Sequence, residues 1–451
     1  MEVKIGLEVH CQLNTKSKLF CGCKNDVSDV PNVFTCPTCL GHPGAKPVFN
    51  KVVLDKALEV ALALKCNINK TILFSRKSYF FPDLPNNYQI TQYEFPLAEK
   101  GMFDGIRITR LHIEEDPGRL VHKGSFVLID YNRSGTPLIE IVTEPDITSP
   151  ERAKDFLNKL VNALEYLGVY SRSSEASLRC DVNVSINGGN RVEVKNVNGI
   201  NDVRKVLEYE IDRQQIQQAK QETRGWDSEK CITYEMRTKE SEQDYGYITE
   251  SNLPSFEISD IMIESAESKL PELPHVKAKR FMGDYRITPE DAEVLTTEIE
   301  LADLFEAVAR KIDPVLAARW LRRELVKLLS LNKKKMKEIE IDEQQMTDLM
   351  DLYFSKKITD KIAKQLMEII IEKPIDIKKY VEENNLMAVS DENELDKWCN
   401  EVINDNPQAV DDYLKGSENS LNFLMGKVMR LSKGKASPDL CKDMIKRKLN
   451  K

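Results

Sequence analysis

The 451-residue chain contains no G-x-x-x-x-G-K-[ST] loop, no kinase glycine loop and no G-x-G-x-x-G after a strand. The common phosphate cradles are therefore excluded, and any nucleotide site must be built in another way. No activated nucleophile stands out, so chemistry that consumes an amide nitrogen would need that nitrogen released elsewhere. No apolar run approaches membrane-spanning length, which excludes a transmembrane helix as an expectation. The first residues lack the basic, apolar and small-residue regions of a secretory signal, so the mature chain can start at Met1 and the expectation is a cytoplasmic protein with no membrane partner. A net charge of −8 excludes a uniformly basic nucleic-acid binder, and any polyanion must be met by local patches.

What is present is an ordinary globular composition, 41% hydrophobic and 31% charged, in a length that suits two or three domains. The stretch Ile5-Gly-Leu-Glu-Val-His-Cys-Gln12 alternates strictly. Ile5, Leu7, Val9 and Cys11 point one way, and Gly6, Glu8, His10 and Gln12 the other. A carboxylate and an imidazole two residues apart on one strand face can reach one cation, and Gly6 removes bulk where a ligand could approach. A half-buried strand with a polar outer face accounts for the same pattern. Four of the ten cysteines, Cys21, Cys23, Cys36 and Cys39, form two close pairs beside turn residues, the arrangement of a structural zinc site. His42 is a spare ligand there, and a redox pair or a disulfide are the alternatives. The other six cysteines are dispersed and mostly read as small buried hydrophobes.

Residues 51–64 have the apolar spacing of a core helix. Arg76 and Lys77 then precede an aromatic cluster and a double-proline turn, a setting that suits base stacking and phosphate neutralisation as well as a plain packed loop. The strand Arg107–Ile113 runs into Glu114-Glu115-Asp116, three acids that must be solvated, capped or neutralised by a divalent metal. Phe126–Tyr131 and Leu138–Val142 read as a hairpin around Asn132–Pro137. Ser149-Pro150-Glu151 opens a helix whose apolar face ends at Gly168. In the strand 178–186 the residues Arg179, Asp181, Asn183 and Ser185 share a face, and across the Asn187-Gly-Gly turn Glu193 and Lys195 continue it. This polar floor suits a phosphate and metal pocket, or simply a solvated sheet face. A helix follows from about Asp202 to Lys220. Alternation fades near 255–273, and almost everything beyond reads helical, with Thr288-Pro289 and Asp313-Pro314 as start signals. From Lys427 onward basic residues dominate, Lys433, Lys435, Lys446, Arg447 and Lys448 among them, which fits either a polyphosphate contact or a solvated terminal helix.

Ile5–His10, Lys16–Phe20, Phe81–Pro85, Tyr88–Ile90, His112–Asp116, Asn132–Val142, Ser177–Asp181 and Lys433–Ala436 together resemble the B subunit of the aspartyl/glutamyl-tRNA amidotransferase, from one end of the chain to the other. The resemblance implies an α+β fold: a mixed, largely antiparallel catalytic cradle at 1–265 with a zinc-binding insertion at 21–39, a helical domain at 266–385 and a helical tRNA-binding tail at 386–451. It implies that ATP phosphorylates the side-chain carboxylate of Glu or Asp mischarged on tRNA-Gln or tRNA-Asn. Ammonia from a separate glutaminase (the amidase, or A, subunit) would then displace the phosphate, with a small C subunit clamping the two. Carried over by position, Glu8, His10 and Glu115 look like magnesium ligands. Lys77, Arg179 and Asp181 look like pocket lining, with Arg76 and Lys195 as further nucleotide contacts. The chain departs from the family pattern at Asn86, Gly246 and Asn252. A non-catalytic tRNA-binding scaffold and a stand-alone ATP-dependent amide ligase are the competing classes. Intact Glu8, His10 and Glu115 argue against the first, and the second needs its own ammonia.

Overall fold

The computed structural model describes all residues except 172–177, 218, 239–245, 389–391, 433 and 450–451. The chain divides into two compact units, Met1–His275 and Val276–Lys451. The first carries sixteen strands among its described residues: β1 (Val3–Gln12), β2 (Asn67–Ile68), β3 (Thr71–Ile72), β4 (Ser75–Ser78), β5 (Tyr88–Thr91), β6 (Ala98–Phe103), β7 (Ile106–Asp116) and β8 (Arg119–Lys123). There follow β9 (Phe126–Asp130), β10 (Thr136–Thr143), β11 (Arg179–Ile186), β12 (Val192–Asn198), β13 (Glu222–Asp227), β14 (Ile232–Thr238), β15 (Ile248–Thr249) and β16 (Phe256–Glu257).

Nine of these form one sheet in the order β14-β13-β12-β11-β1-β10-β7-β6-β2, antiparallel throughout except for the β12–β13 pair. The long β1 sits near its centre because its alternation allows a fully apolar face. In register, Leu111, Ile141, Val9 and Cys180 lie side by side across β7, β10, β1 and β11, and all four are buried. Helices α1 (Lys51–Ala63), α2 (Pro150–Tyr166) and α3 (Ile200–Ile216) supply the rest of this core. The Ser149 side chain accepts from the Arg152 N–H, and Pro150 occupies the first turn of α2. Such a cap is worth about 1 kcal/mol and fixes where the helix starts. Phe156, Leu157, Leu160, Val161 and Leu164 are the buried stripe of α2, as their spacing requires. The fold class expected from the sequence is the one observed: a large, mostly antiparallel mixed sheet followed by helices.

One expected element is not there. Phe126–Tyr131 does not pair with Leu138–Val142. Instead β9 pairs with β8 in a separate two-stranded ribbon, and β10 enters the large sheet between β1 and β7. The reason is burial on both faces: Leu138, Ile139 and Ile141 are all shielded, the signature of a central strand, whereas Phe126, Val127 and Leu128 stay exposed on the ribbon. The helix read from Asp202 to Lys220 runs from Ile200 to Ile216. Of the dispersed cysteines, Cys231 is exposed and the other five are buried.

The second unit is helical among its described residues, with helix starts capped by Thr288 and Asp313, each followed by proline. It contains two separate apolar cores. One gathers Phe281, Leu301, Phe305, Leu321, Met350 and Leu366; the other gathers Leu395, Cys399, Leu421, Leu424, Cys441 and Ile445. The Thr359 hydroxyl donates to the Gly434 carbonyl at 2.6 Å and ties a helix start near the first core to a loop beside the second. No described helix is long and apolar enough to cross a membrane.

Candidate functional site

The face of the sheet opposite the core is polar in every central strand. In register His112, Glu140, His10 and Arg179 form one row across β7, β10, β1 and β11, and Val142, Glu8 and Asp181 form the next. Period-two alternation on four neighbouring strands thus concentrates acids and imidazoles into one patch. The His10 Nε2 atom is 3.2 Å from Glu140 and 3.9 Å from Glu114; His112 Nε2 is 3.5 and 3.7 Å from the same two carboxylates. Beside them, Asn183 donates to Glu8 at 3.0 Å, Lys195 donates to Asp181 at 3.0 Å, and the Asn196 N–H caps Asp181 at 2.7 Å. Two sets of metal-ligand type result, His10 with Glu114 and Glu140, and Glu8 with Asp181 and Glu193, the ligand atoms of each lying within 4.8 Å of one another. One imidazole with two carboxylates, and three carboxylates, are donor sets for hard or borderline divalent cations.

The electrostatics carry the mark of that crowding. Burial and the neighbouring Glu140 and Asp181 raise the Glu8 carboxyl above its ordinary value. Burial alone would lower the His10 pKa, but its hydrogen bond to Glu140 and the charges of Glu140, Asp181 and Glu114 raise it to about 9. Burial acts to raise Glu140, yet His112, His10 and Lys77 hold it well below the usual carboxylate range. Lys195, despite burial, is raised by Asp181, Glu193 and Glu8, and Asp181 is correspondingly lowered by Lys195 and His10 against its own burial. A cleft of about 200 Å³ beside Glu8 is lined by Gly6, Thr143, Pro145, Asn183 and Arg191, which gives a ligand access to this end of the face.

Of the residues singled out from sequence, Glu8, His10, Asp181 and Lys195 come together on this face. Lys77 is half-buried and feels the charges of Tyr247, Glu114 and Glu140. Arg179 bonds to Asp116, a fully buried acid that also accepts from Gln12 and lies 3.7 Å from Arg133. Two others go elsewhere. Glu115 is turned away from the His10 group: its carboxylate accepts from the Ile90 N–H at 3.0 Å, and burial pushes it up to about 7. Arg76 makes a two-pronged pair with Glu250 at 2.6 and 2.8 Å and lies over the Tyr88 ring. Asn252, one of the departures from the family pattern, braces the same Glu250. Sequence reasoning missed Glu140, although a lone acid inside Leu138-Ile139-Glu140-Ile141-Val142 is a costly placement that signals function. It also missed the period of two that puts His112, Glu114 and Asp116, not Glu115, on one face.

The thiols of Cys21, Cys23, Cys36 and Cys39 likewise converge within 4.8 Å, without His42. A tetrad of cysteines fits tetrahedral zinc. Lys18, buried completely, donates to the Phe34 carbonyl at 2.7 Å and to the Tyr131 carbonyl at 3.3 Å, and approaches the Cys39 sulfur at 3.7 Å. The Cys39 thiol is lowered to about 5, first by its bond to Cys21 and further by the nearby Lys18 charge. In the tail, Lys448 is committed to Asp396 and Asn400, whereas Arg447 is exposed. Lys433 lies outside the described residues.

Residues 3–264 match the GatB/GatE catalytic domain and residues 303–449 match the GatB domain, so the sheet unit is a catalytic domain of the GatB/GatE class. Several proteins named as the B subunit of aspartyl/glutamyl-tRNA(Asn/Gln) amidotransferase match along their whole length. That of Methanothermobacter thermautotrophicus is 44% identical over 99% of this chain and 100% of its own, and that of Carboxydothermus hydrogenoformans 42% identical over 100% and 99%. The Thermotoga petrophila protein is 42% identical over 99% and 98%. The chain belongs to this family, the B subunits of aspartyl/glutamyl-tRNA(Asn/Gln) amidotransferase.

Replacing Lys195 by Met should leave Glu8, Asp181 and Glu193 without their shared cation. In metal-free buffer at pH 7 the first unit is expected to lose about 3–5 kcal/mol, read from urea unfolding. Because Asp181 is depressed when folded, its contribution is present above its ordinary value of 3.8 and is lost as the pH falls through the lower folded value. The difference between wild type and variant should therefore shrink in strongly acid buffer. Equal stability at pH 7 would refute the assigned role.

Proposed function

We propose that this chain is the phosphorylating and amidating component of an ATP-dependent carbon–nitrogen ligase, acting on Glu attached to tRNA-Gln or Asp attached to tRNA-Asn. Its partners in this reading are a glutaminase, the A subunit, which releases ammonia, and a small C subunit, which joins the two. The observation that supports it most is the pair of acid clusters on one sheet face with Lys195, Lys77 and Arg179 among them. In the first step the side-chain carboxylate oxygen attacks the γ-phosphorus of ATP, the bond to the β-phosphate oxygen breaks, and ADP leaves. In the second the ammonia nitrogen attacks the acyl carbon, the carbon–oxygen bond to phosphate breaks, and a proton leaves the nitrogen.

Magnesium held by His10, Glu114 and Glu140, with a further ion at Glu8, Asp181 and Glu193, would neutralise the oxygen charge that phosphoryl transfer concentrates. We infer Glu114 in place of Glu115 as the ligand because Glu115 already accepts from Ile90. Lys77, Lys195 and Arg179 orient phosphate oxygens as fixed cations. Arg76, engaged by Glu250, holds β4 in place rather than binding nucleotide. Zinc at Cys21, Cys23, Cys36 and Cys39 serves structure. In the tail, Lys435, Lys446 and Arg447 meet tRNA phosphates, which position the substrate without reading its bases.

Three measurements test this reading. Glu114→Gln and Glu140→Gln should each weaken Mn²⁺ binding at least tenfold and remove ATP hydrolysis dependent on mischarged tRNA, whereas Glu115→Gln should keep its Mn²⁺ site; loss confined to the Glu115 variant reverses the assignment. Elemental analysis of protein purified without chelator should give one zinc per chain, and the Cys36→Ser, Cys39→Ser pair should lose both the metal and part of the first unit's stability. No zinc in the wild type would end that part. Neutralising Lys446 and Arg447 together should weaken tRNA binding and flatten its dependence on log salt by about 0.9 for each phosphate no longer neutralised. An unchanged slope would make these residues merely solvating.

A further inference from the structure

The second unit holds a cleft of about 170 Å³ that none of the chemistry above uses. It is smaller than the roughly 300–1,000 Å³ of sites for drug-sized ligands, so it has room for one small group rather than a length of chain. One wall comes from a helical run that starts as Pro314–Trp320 and widens into a π-helical turn at Leu321–Val326, a distortion met disproportionately at functional positions. Arg319, Trp320, Arg323 and Glu324 share this wall, and Tyr353 and Asp360 stand opposite.

The pairing of charges around the cleft is lopsided. The two acids are already served: Lys364 reaches Glu324 at 3.5 Å and Asp360 at 2.9 Å, and the Tyr353 hydroxyl donates to Asp360 at 3.3 Å. The neighbouring Arg322 is likewise paired, with Asp291 at 2.9 Å. Arg319 and Arg323, one helical turn apart and both exposed, have no ion pair or hydrogen bond with any described residue. Between them the cleft is aromatic. Trp320 and Tyr353 lie with ring centroids 5.8 Å apart, and Tyr353 and Phe354 with centroids 5.1 Å apart. Trp320 is 6% exposed, and its indole N–H is buried with no acceptor among the described residues. Buried donors are rarely left so.

We propose that this cleft binds one unpaired nucleotide, its base against the Trp320–Tyr353–Phe354 wall and its phosphate on the Arg319 and Arg323 guanidinium groups. A flat base suits an aromatic surface whatever its identity, and paired guanidinium groups suit phosphate. Although Lys364 already pairs with them, Glu324 and Asp360 keep further carboxylate lone pairs that can accept from ribose hydroxyls or exocyclic amino groups. An acidic peptide would use the arginines but leave the aromatic wall and these acceptors idle. That the nucleotide belongs to a loop of the tRNA, rather than being free, rests on the function proposed above.

The test uses the full-length chain and two probes, AMP and a single-stranded RNA tetranucleotide, followed by quenching of Trp320 fluorescence in a Trp226→Phe, Trp398→Phe background. The tetranucleotide should quench, and Arg319→Ala with Arg323→Ala should weaken it about tenfold or more, with the double Lys variant in between. Quenching by the tetranucleotide alone supports an RNA strand, and equal quenching by AMP supports a free nucleotide. Should the tryptophan replacements fail to fold, photocrosslinking of a 4-thiouridine tetranucleotide to the wild-type chain should label peptides holding residues 316–324 or 353–360. Absence of quenching, unchanged affinity in the Ala pair, or crosslinks only elsewhere would overturn the proposal. None of these probes needs an aminoacyl-tRNA or a partner protein. Loss of the amidation reading with the cleft still binding would therefore remove only the source of the nucleotide.

Discussion

Like charges packed at cross-strand spacing on a half-buried sheet face set the terms for the first unit. Glu8, Glu140, Asp181, Glu193 and Glu114 crowd one face, where like charges repel because partners directly opposite on adjacent strands stand only about 5 Å apart. The protein supplies part of the answer itself. Lys195 is placed among Asp181, Glu193 and Glu8, and the two imidazoles His10 and His112 lie against Glu140 and Glu114. The balance is incomplete: burial first, and then Glu140 and Asp181, keep Glu8 raised even with Lys195 nearby. The two carboxylate-rich sets on this face are donor sets of the kind that suits hard divalent cations. The apolar side of the same strands makes the arrangement tolerable, since Glu8, Glu140, Asp181 and Glu193 are each flanked in sequence by side chains buried in the core.

How much of this was legible in the chain follows from which interactions are local. The alternation in Ile5–Gln12 and in 178–186 is a property of consecutive residues, so the strands and their polar faces could be read directly, as could the caps at Ser149, Thr288 and Asp313. The neighbours of a strand are another matter. Leu138–Val142 had two places to go, and its choice of the sheet centre over a local hairpin with Phe126–Tyr131 was decided by burial on both faces, which only the assembled sheet provides. The same holds within the Glu114-Glu115-Asp116 run. Adjacent residues on a strand point to opposite sides, so one of the three acids had to differ, and which one depended on the phase set by pairing with β10. The resemblance to a family pointed to Glu115, while the phase places Glu114 on the face of His10 and Glu140.

The cysteine knob and the acid face are mechanically one piece. Asn132 accepts from the Phe34 N–H at 2.8 Å, Ser134 donates to the Cys39 carbonyl at 3.0 Å, and Lys18 bonds to both the knob and Tyr131. The turn so fixed delivers the Gly135 N–H to the Asp116 carbonyl at 3.0 Å. Asp116 is the buried acid on which Arg179, Gln12 and Arg133 converge. A metal held by the four cysteines would therefore act on the acid face through this turn, without touching a ligand there. By holding the 131–135 turn, a metal there would brace Asp116, the buried partner of Arg179. The Cys39 sulfur lies 3.7 Å from the buried Lys18 ammonium, which also donates to the Tyr131 carbonyl at the start of the same turn. Through Lys18, Ser134 and Gly135, one loop links the packing of the knob to the position of Asp116 at the edge of the acid face.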